Sequence, residues 1–324
     1  MLNDLYYAKP YSHRYLITGK TVLQYQWGLA VESHLPLATT RCGGVEFRWG
    51  ERTYVMGILN LSPDSFSGDG VGDNIDAAIA KARRLVAEGA DIIDIGGEST
   101  RPGSQPVSAD DELRRVMPVI ESLAGKLSVP LSIDTYKSAV ASRALEAGAT
   151  MLNDQWGLKR DLHLAELAAE WDVPLILMSN QRDKGGYDAR IQRDTAYYDD
   201  PIFEVISSLK ISLEMALRSN VPWENIILDP GIGFGKTWQQ DLEIIRRLGE
   251  LRELGRPILI GPSRKSFIGR VLDLPVHDRL EGTAATVAIG IAHGADMVRV
   301  HDVQQMVRVC RMSDAVMRGS QIGH

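Results

Sequence analysis

Eight short apolar strands, each followed by an amphipathic helix, predict an α/β chain closing into a (β/α)8 barrel with an N-terminal hairpin and a short N-terminal extension. Three observations carry that expectation. From Val55 onward the hydrophobic pattern switches repeatedly between short strand-like runs and longer helical ones. Eight such units fill about 250 residues, the usual length of this barrel. Nearly every strand also ends on a polar or charged residue, whereas an open doubly wound sheet has fewer strands and one ligand site at a switch point.

Residues 1–41 form the extension. Tyr6, Tyr7, Tyr11, Tyr15, Tyr25 and Trp27 make it too aromatic for a disordered tail, so an ordered appendage without a catalytic role is expected. Residues 42–324 are expected to be a single barrel domain. It starts with a hairpin over 44–54, GVEFRWGERTY, in which Val45, Phe47 and Trp49 alternate, Gly50-Glu51 turns, and the whole serves as a barrel floor. The predicted strands are Val55–Asn60, Ile92–Gly96, Leu131–Asp134, Met151–Asn153, Leu175–Met178, Ile226–Asp229, Ile258–Gly261 and Met297–Val300. Helical patterns occupy 73–88, 108–124, 137–147, 162–171, 201–219, 238–253, 281–293 and 302–318. Gly89-Ala90, Gly148-Ala149 and Gly294-Ala295 close several of them, as a C-terminal glycine does. The longest polar insertion, 181–200, follows the fifth strand.

Composition narrows the functional classes. A chain of 324 residues, 44% hydrophobic and 24% charged, can bury a full core. A net charge of −6 argues against general nucleic-acid binding but leaves room for a local anion site. Cys42 and Cys310 have neither CxxC nor zinc-ligand spacing, so a reduced, cytoplasmic protein is expected. No signal peptide and no apolar run of membrane-spanning length stand out.

Asp229-Pro-Gly-Ile-Gly-Phe-Gly-Lys-Thr is the most distinctive stretch. It mimics a phosphate-binding P-loop, but that motif needs glycine where Pro230 stands. It leaves a carboxylate at a strand tip above a glycine-rich turn, and the pattern recurs: Asn60, Asp94 to Glu98, Asp134, Asn153, Ser179-Asn180, Asp229, Ser263 to Lys265, and Arg299 with His301 all fall at strand ends. In such a barrel those ends form the active face. Asp134, Asn153 and Asp229 suit the N–H edge of a flat nitrogen heterocycle. Asn60, Arg299 and His301 suit a polyphosphate with Mg2+. Lys265 is placed to bridge the two subsites. Each residue taken singly could be an ordinary surface polar group, and Asp302 could cap the last helix. The glycine- and proline-rich loops 61–73 and 96–108 are lid candidates.

These motifs resemble the dihydropteroate synthases. Met56-Gly-Ile-Leu-Asn-Leu-Ser-Pro-Asp-Ser-Phe-Ser and Ile92-Ile-Asp-Ile-Gly-Gly-Glu-Ser-Thr-Arg-Pro-Gly are similar to that family's first two signatures. Ser132-Ile-Asp-Thr-Tyr-Lys, Leu152-Asn-Asp, the glycine-rich loop, Ser263-Arg-Lys-Ser-Phe-Ile-Gly and Arg299-Val-His-Asp continue the match in order. The resemblance implies a cytoplasmic, homodimeric TIM barrel. It would join 6-hydroxymethyl-7,8-dihydropterin pyrophosphate to p-aminobenzoate in folate biosynthesis, by an SN1-like route, with Mg2+ as cofactor. It further implies that Asp134, Asn153, Met178, Asp229, Phe234 and Lys265 hold the pterin. Asn60, Arg299 and His301 would hold the pyrophosphate, Asn60 also the metal. Phe66, Thr100, Arg101, Pro102, Lys265 and Ser266 would form the p-aminobenzoate site, where sulfonamides compete. Asp134, Lys265, Arg299 and His301 would carry the chemistry. Two departures stand out: Ser179 follows Met178 where the family has histidine, and the first loop reads Ser-Gly-Asp-Gly at 67–70. A corrinoid-type pterin methyltransferase, or a non-catalytic pterin-binding paralogue, would share the Asp-Asn-Asp set. The methyltransferase should not need the Thr100-Arg101-Pro102 loop or the Ser263 to Ser266 run, and the paralogue is favoured by loss of loop residues or of Arg299 and His301, which are all present.

Overall fold

The computed structural model describes residues 37–62, 74–99, 105–182 and 200–319. A short antiparallel hairpin comes first, β1 (Thr40–Cys42) paired with β2 (Val45–Phe47). The parallel strands follow: β3 (Tyr54–Asn60), β4 (Ile92–Gly96), β5 (Leu131–Asp134), β6 (Met151–Asp154), β7 (Leu175–Met178), β8 (Ile226–Asp229), β9 (Leu259–Ile260) and β10 (Met297–Val300). The helices are α1 (Ile75–Ala87), α2 (Ala109–Leu123), α3 (Ser138–Glu146), α4 (His163–Glu170), α5 (Pro201–Arg218), α6 (Trp238–Arg246), α7 (Ser266–Leu272), α8 (Leu280–Ala292) and α9 (Val303–Arg318). The eight strands run in the order β8-β7-β6-β5-β4-β3-β10-β9. A parallel bridge from Leu228 to Ile258 and a 2.9 Å bond from the Leu228 amide to the Pro257 carbonyl close the ring. The (β/α)8 expectation holds.

Side-chain alternation along the strands makes two separate cores. Ile93, Ile95, Leu131, Ile133, Leu175, Leu177, Ile226 and Leu228 point outward to the helices. Met56, Ile92, Met151, Ile176, Ile227, Leu259 and Met297 point inward and fill the lower barrel. Helix starts are set locally. Ser108 caps α2, Asp200 caps α5 ahead of Pro201, and Thr237 forms a reciprocal capping box with Gln240 on α6.

The hairpin lies earlier than the sequence suggests. Its turn is Gly43-Gly44 rather than Gly50-Glu51, and both glycines have positive φ (54° and 82°), as a two-residue hairpin turn requires. The segment after Gly50 does not return along the hairpin, because Tyr54 already pairs with Met297 as the first residue of the barrel. Thr40 and Arg41, grouped with the extension above, are hairpin residues. The floor role is as expected. Phe47 packs in a T with Tyr54 and stacks on Trp49 at centroid distances of 4.8 and 5.6 Å, and all three rings join the inner core. Each buried ring contributes roughly 1.5–3 kcal/mol. Trp49 donates its indole N–H to the Thr40 hydroxyl at 2.8 Å, which donates on to the Glu224 carbonyl at 2.6 Å. No helix among the described residues is long and apolar enough to cross a membrane.

Candidate functional site

Directly above the apolar layer, the inward positions change character. Asp94 on β4, Ser132 on β5, Asn153 on β6, Met178 on β7, Asp229 on β8 and Arg299 on β10 occupy them. Strand register sets the rim, since Asn60 pairs with Gly96, Gly96 with Asp134, and Asp134 with Asn153. On the other side Met178 pairs with Asp229. Gly96 keeps this rim open. A Cβ there would stand 3.6 Å from Asp134 Oδ2 and 3.7 Å from Asn60 Oδ1, so those two oxygens face each other across it.

Asp94 is the hub, a role that sequence reading did not give it. It is fully buried, and its Oδ2 accepts from Arg299 Nε at 2.6 Å and from Asn153 Nδ2 at 3.0 Å. Arg299 spends its other edge on Asp134, Nη2 donating to Oδ2 at 2.6 Å. One guanidinium thus serves two carboxylates on adjacent strands. Burial works against its charge, but Asp94 and Asp134 outweigh burial and hold Arg299 above its ordinary value. Burial pushes Asp134 up to about 7, with Arg299 opposing and Asp94 adding to the rise. Asp94 Oδ1, Asp134 Oδ1 and the Ser132 hydroxyl are buried without a hydrogen-bond partner among the described residues. Such a cluster of unmet buried polar atoms marks a place prepared for a ligand. Because Asn153 turns its NH2 to Asp94, its carbonyl oxygen is the atom it offers to a ligand.

The glycine-rich loop aims Asp229. Its Oδ1 accepts from the Gly231 amide at 2.7 Å, leaving Oδ2 for a ligand. Burial raises the carboxyl to about 6, with the Gly231 amide, Lys265, Lys236 and Arg299 opposing. Gly231 and Gly235 have φ of 69° and 77°, and a Cβ on them would come within 2.2 Å of the Ser179 carbonyl and 2.3 Å of the Gln181 backbone. Only glycine lets the loop lie this close against the end of β7. That packing places Phe234 under Lys265, whose ammonium stands 4.1 Å from the ring centroid. Arg182 approaches the same ring at 4.3 Å. Burial, with the charges of Arg299 and Arg182, pulls Lys265 down to about 8, and Asp229 and Asp241 resist. At neutral pH it remains mostly an ammonium.

Lys265 is aimed by an unusual backbone. Arg264 before it has φ of 56°, and a two-point grip on Asp302, with Nε to Oδ2 at 2.9 Å and Nη2 to Oδ1 at 2.5 Å, holds it there. Arg279 braces the same turn by donating to the Arg264 and Lys265 carbonyls at 3.0 and 3.2 Å. Asp302 occupies the N-cap position of α9 but makes no capping bond there, because Arg264 takes its carboxylate. His301 shares a 2.9 Å hydrogen bond with Ser263 through Nδ1, and its amide donates to the same hydroxyl at 3.2 Å.

The structure therefore gathers Asp134, Asn153 and Arg299 around Asp94, and Asp229, Phe234 and Lys265 around the glycine-rich loop. Met178 stands beside Asp229, Asn60 at the rim and His301 beyond Arg299, while Ser266 is an exposed first residue of α7. Phe66, Thr100, Arg101 and Pro102 lie outside the described residues. The foot of their second loop is firmly set, with Lys137 bonding both Glu98 and Glu112 and Arg115 donating to the Gly97 carbonyl at 2.8 Å. Ser179 donates its amide to the Asp229 carbonyl at 2.9 Å. Its side chain is buried, and its hydroxyl has no hydrogen-bond partner among the described residues.

An apolar-floored barrel with a mouth of acceptors flanked by cations defines a class, enzymes that bind a flat, donor-rich heterocycle carrying an anionic tail. A model of the family described as pterin binding enzyme matches residues 56–301. The dihydropteroate synthase of Clostridium beijerinckii is 48% identical over 279 residues, covering 86% of this chain and 99% of that one. Among solved structures, the dihydropteroate synthase of Clostridium difficile, crystallised in the presence of pteroic acid, is 49% identical with a TM-score of 0.75. It covers 84% of this chain and 99% of its own. That of Xanthomonas albilineans with 4-aminobenzoic acid is 37% identical with a TM-score of 0.77, covering 86% and 98%. This chain belongs to the dihydropteroate synthase family, whose members are transferases.

Proposed function

We propose that the chain condenses 6-hydroxymethyl-7,8-dihydropterin pyrophosphate with p-aminobenzoate, giving 7,8-dihydropteroate and pyrophosphate. One observation carries this reading. The barrel mouth offers hydrogen-bond acceptors from Asp229 Oδ2, Asn153 Oδ1, Asp94 Oδ1 and Asp134 Oδ1, directly beside the cations Arg299 and Lys265. An aminopyrimidine edge supplies the matching N–H donors, and its ring carbonyl accepts a hydrogen bond from the Lys265 ammonium. Met178 and Phe234 flank the ring plane with apolar surface.

The bond from the pterin methylene carbon to the pyrophosphate oxygen breaks first, and the electron pair leaves with pyrophosphate. Asp134 and Asp94 then lie where anionic charge stabilises the methylene cation, and a buried site strengthens that effect. The neutral arylamine nitrogen donates its lone pair to the carbon and afterwards loses a proton to solvent, so no dedicated base is required. Arg299 and His301 would take the departing pyrophosphate, and Phe66, Thr100, Arg101, Pro102 and Ser266 would meet p-aminobenzoate.

The residues also fit Mg2+. This ion prefers oxygen ligands and is usually held by one or two protein groups plus substrate phosphates and water. Asn60 Oδ1, facing Asp134 across Gly96, supplies such a group at the rim. Bound there with the substrate, the ion would neutralise charge on the pyrophosphate. We further infer a homodimer, because α8 and α9 expose Ile289, Met312, Val316 and Met317.

The test is pyrophosphate release by the purified protein given the dihydropterin pyrophosphate and Mg2+, with and without p-aminobenzoate. Release coupled to dihydropteroate formation is expected. Binding of the pterin without product would contradict the enzymatic reading.

A further inference from the structure

Lys236 is left unused by the chemistry above. It completes the Gly-Lys-Thr run that resembles a P-loop, yet it points at no phosphate site. The residue is half-buried, and its ammonium donates to three backbone carbonyls, Ser179 at 2.9 Å, Gly231 at 2.9 Å and Phe234 at 3.3 Å. An ammonium has three N–H donors, so this set satisfies it completely.

The three acceptors sit on two segments, the end of β7 and the glycine-rich loop. Ser179 lies at the end of β7, Gly231 follows the pterin-facing Asp229, and Phe234 carries the ring beneath Lys265. Two further bonds act between the same segments, the Ser179 amide to the Asp229 carbonyl at 2.9 Å and the Gln181 amide to the Phe234 carbonyl at 3.1 Å. Those are neutral bonds, whereas the lysine adds a charge-assisted one to each segment, about twice as strong. From the outer side Asp241 accepts the Gly233 amide at 2.8 Å and keeps the loop from swinging away. Among the described residues, the charged groups acting on the ammonium include Asp241, Asp229, Lys159 and Glu204. Burial pulls it down to about 7, with Asp241 and Asp229 opposing.

We propose that Lys236 is a positioning residue for the pterin subsite: it ties the glycine-rich loop to the end of β7 so that Asp229 and Phe234 present the carboxylate and ring the pterin needs. This rests on the dihydropteroate synthase reading above. The p-aminobenzoate side of the site draws on other segments, so the two substrates should respond differently to loss of this residue.

The experiment compares wild type with Lys236→Met, Lys236→Arg and Lys236→Cys, the last before and after alkylation with 2-bromoethylamine, which rebuilds an ammonium at lysine length. Cys42 and Cys310 are buried, and burial raises both thiols, so labelling is confined to position 236. The methionine and unmodified cysteine variants should raise the KM for the dihydropterin pyrophosphate about tenfold or more and leave that for p-aminobenzoate within about twofold, as expected when one subsite is misplaced by a fraction of an ångström. Alkylation should restore the pterin KM, and arginine should restore it in part. An unchanged pterin KM, equal rises in both KM values, or failure of every variant to fold would overturn the assignment, the last by making Lys236 a general structural prop. If wild type itself forms no dihydropteroate, the functional reading fails instead.

Discussion

The lower and upper halves of the barrel interior are built from the same strands and differ by one side-chain layer. Below lie Ile92, Met151, Ile176, Ile227 and Met297, closed off by the rings of Phe47, Trp49 and Tyr54. Above lie Asp94, Asp134, Asn153, Asp229 and Arg299, with buried oxygens that find no partner among the described residues. The lower layer satisfies itself with dispersion, burial and the ring hydrogen bonds of Trp49 and Tyr54. The upper one holds three carboxylates against one forked guanidinium, so the strands that stabilise the fold at one end carry a stored demand for a ligand at the other.

Substitutions in the two layers should separate these roles. The largest expected effect is that of Arg299→Met, which strands Asp94 and Asp134 in a buried site. It should cost about 3–5 kcal/mol of stability and abolish product formation, read by denaturant melts and the coupled assay. Ile227→Ala, one layer down, should cost about 2–4 kcal/mol in the same melts while leaving kcat/KM nearly unchanged in the folded fraction. Asp94→Asn should lower kcat/KM about tenfold, since Arg299 loses one charged partner and Asn153 gains freedom to reverse its amide. If Ile227→Ala lowered kcat/KM as much as Asp94→Asn, the two layers would not be functionally distinct.

A pH series sharpens the same contrast. Asp229 titrates near 6 in the fold against an ordinary value of 3.8, because burial disfavours its charge. A folded value above the unfolded one means that this group's stabilising contribution is complete below the unfolded value and is lost as pH rises through the folded one. Pterin N–H donors require the carboxylate, so affinity should move the other way, falling about tenfold per pH unit below the folded value. Measured against Asp229→Asn, wild type should therefore gain stability and lose pterin affinity as pH falls from about 6 to about 4. Parallel movement of the two quantities would show that Asp229 does not meet the ligand as an anion.

Much of this was legible in the sequence because strands and rim positions follow from short-range patterns. The eight barrel strands fall within a residue or two of their expected bounds, and Asn60, Asp134, Asn153 and Asp229 stand at strand ends as read. What was not legible depends on partners distant in the chain. Asp94 reads as one charge in an Ile-rich strand, and its importance appears only when β10 and β6 bring Arg299 and Asn153 to it. Asp302 has the residue type of a cap, but Arg264, 38 positions away in sequence, wins its carboxylate. The hairpin was misplaced because Gly50 and the Gly43-Gly44 pair both signal turns, and only the pairing of Tyr54 with Met297 decides between them. Lys236 ends a run that mimics a phosphate loop, yet it holds backbone carbonyls, which no local motif encodes.

The claim that the upper layer is a pterin site is tested most directly by calorimetric titration of the dihydropterin pyrophosphate into wild type and Asp229→Asn. The variant should retain its Tm within a few degrees and bind about a hundredfold more weakly, because it replaces the charged acceptor that faces the ligand N–H groups by a neutral amide. Equal affinity in the two proteins would place the ligand elsewhere and contradict the assignment of the barrel mouth.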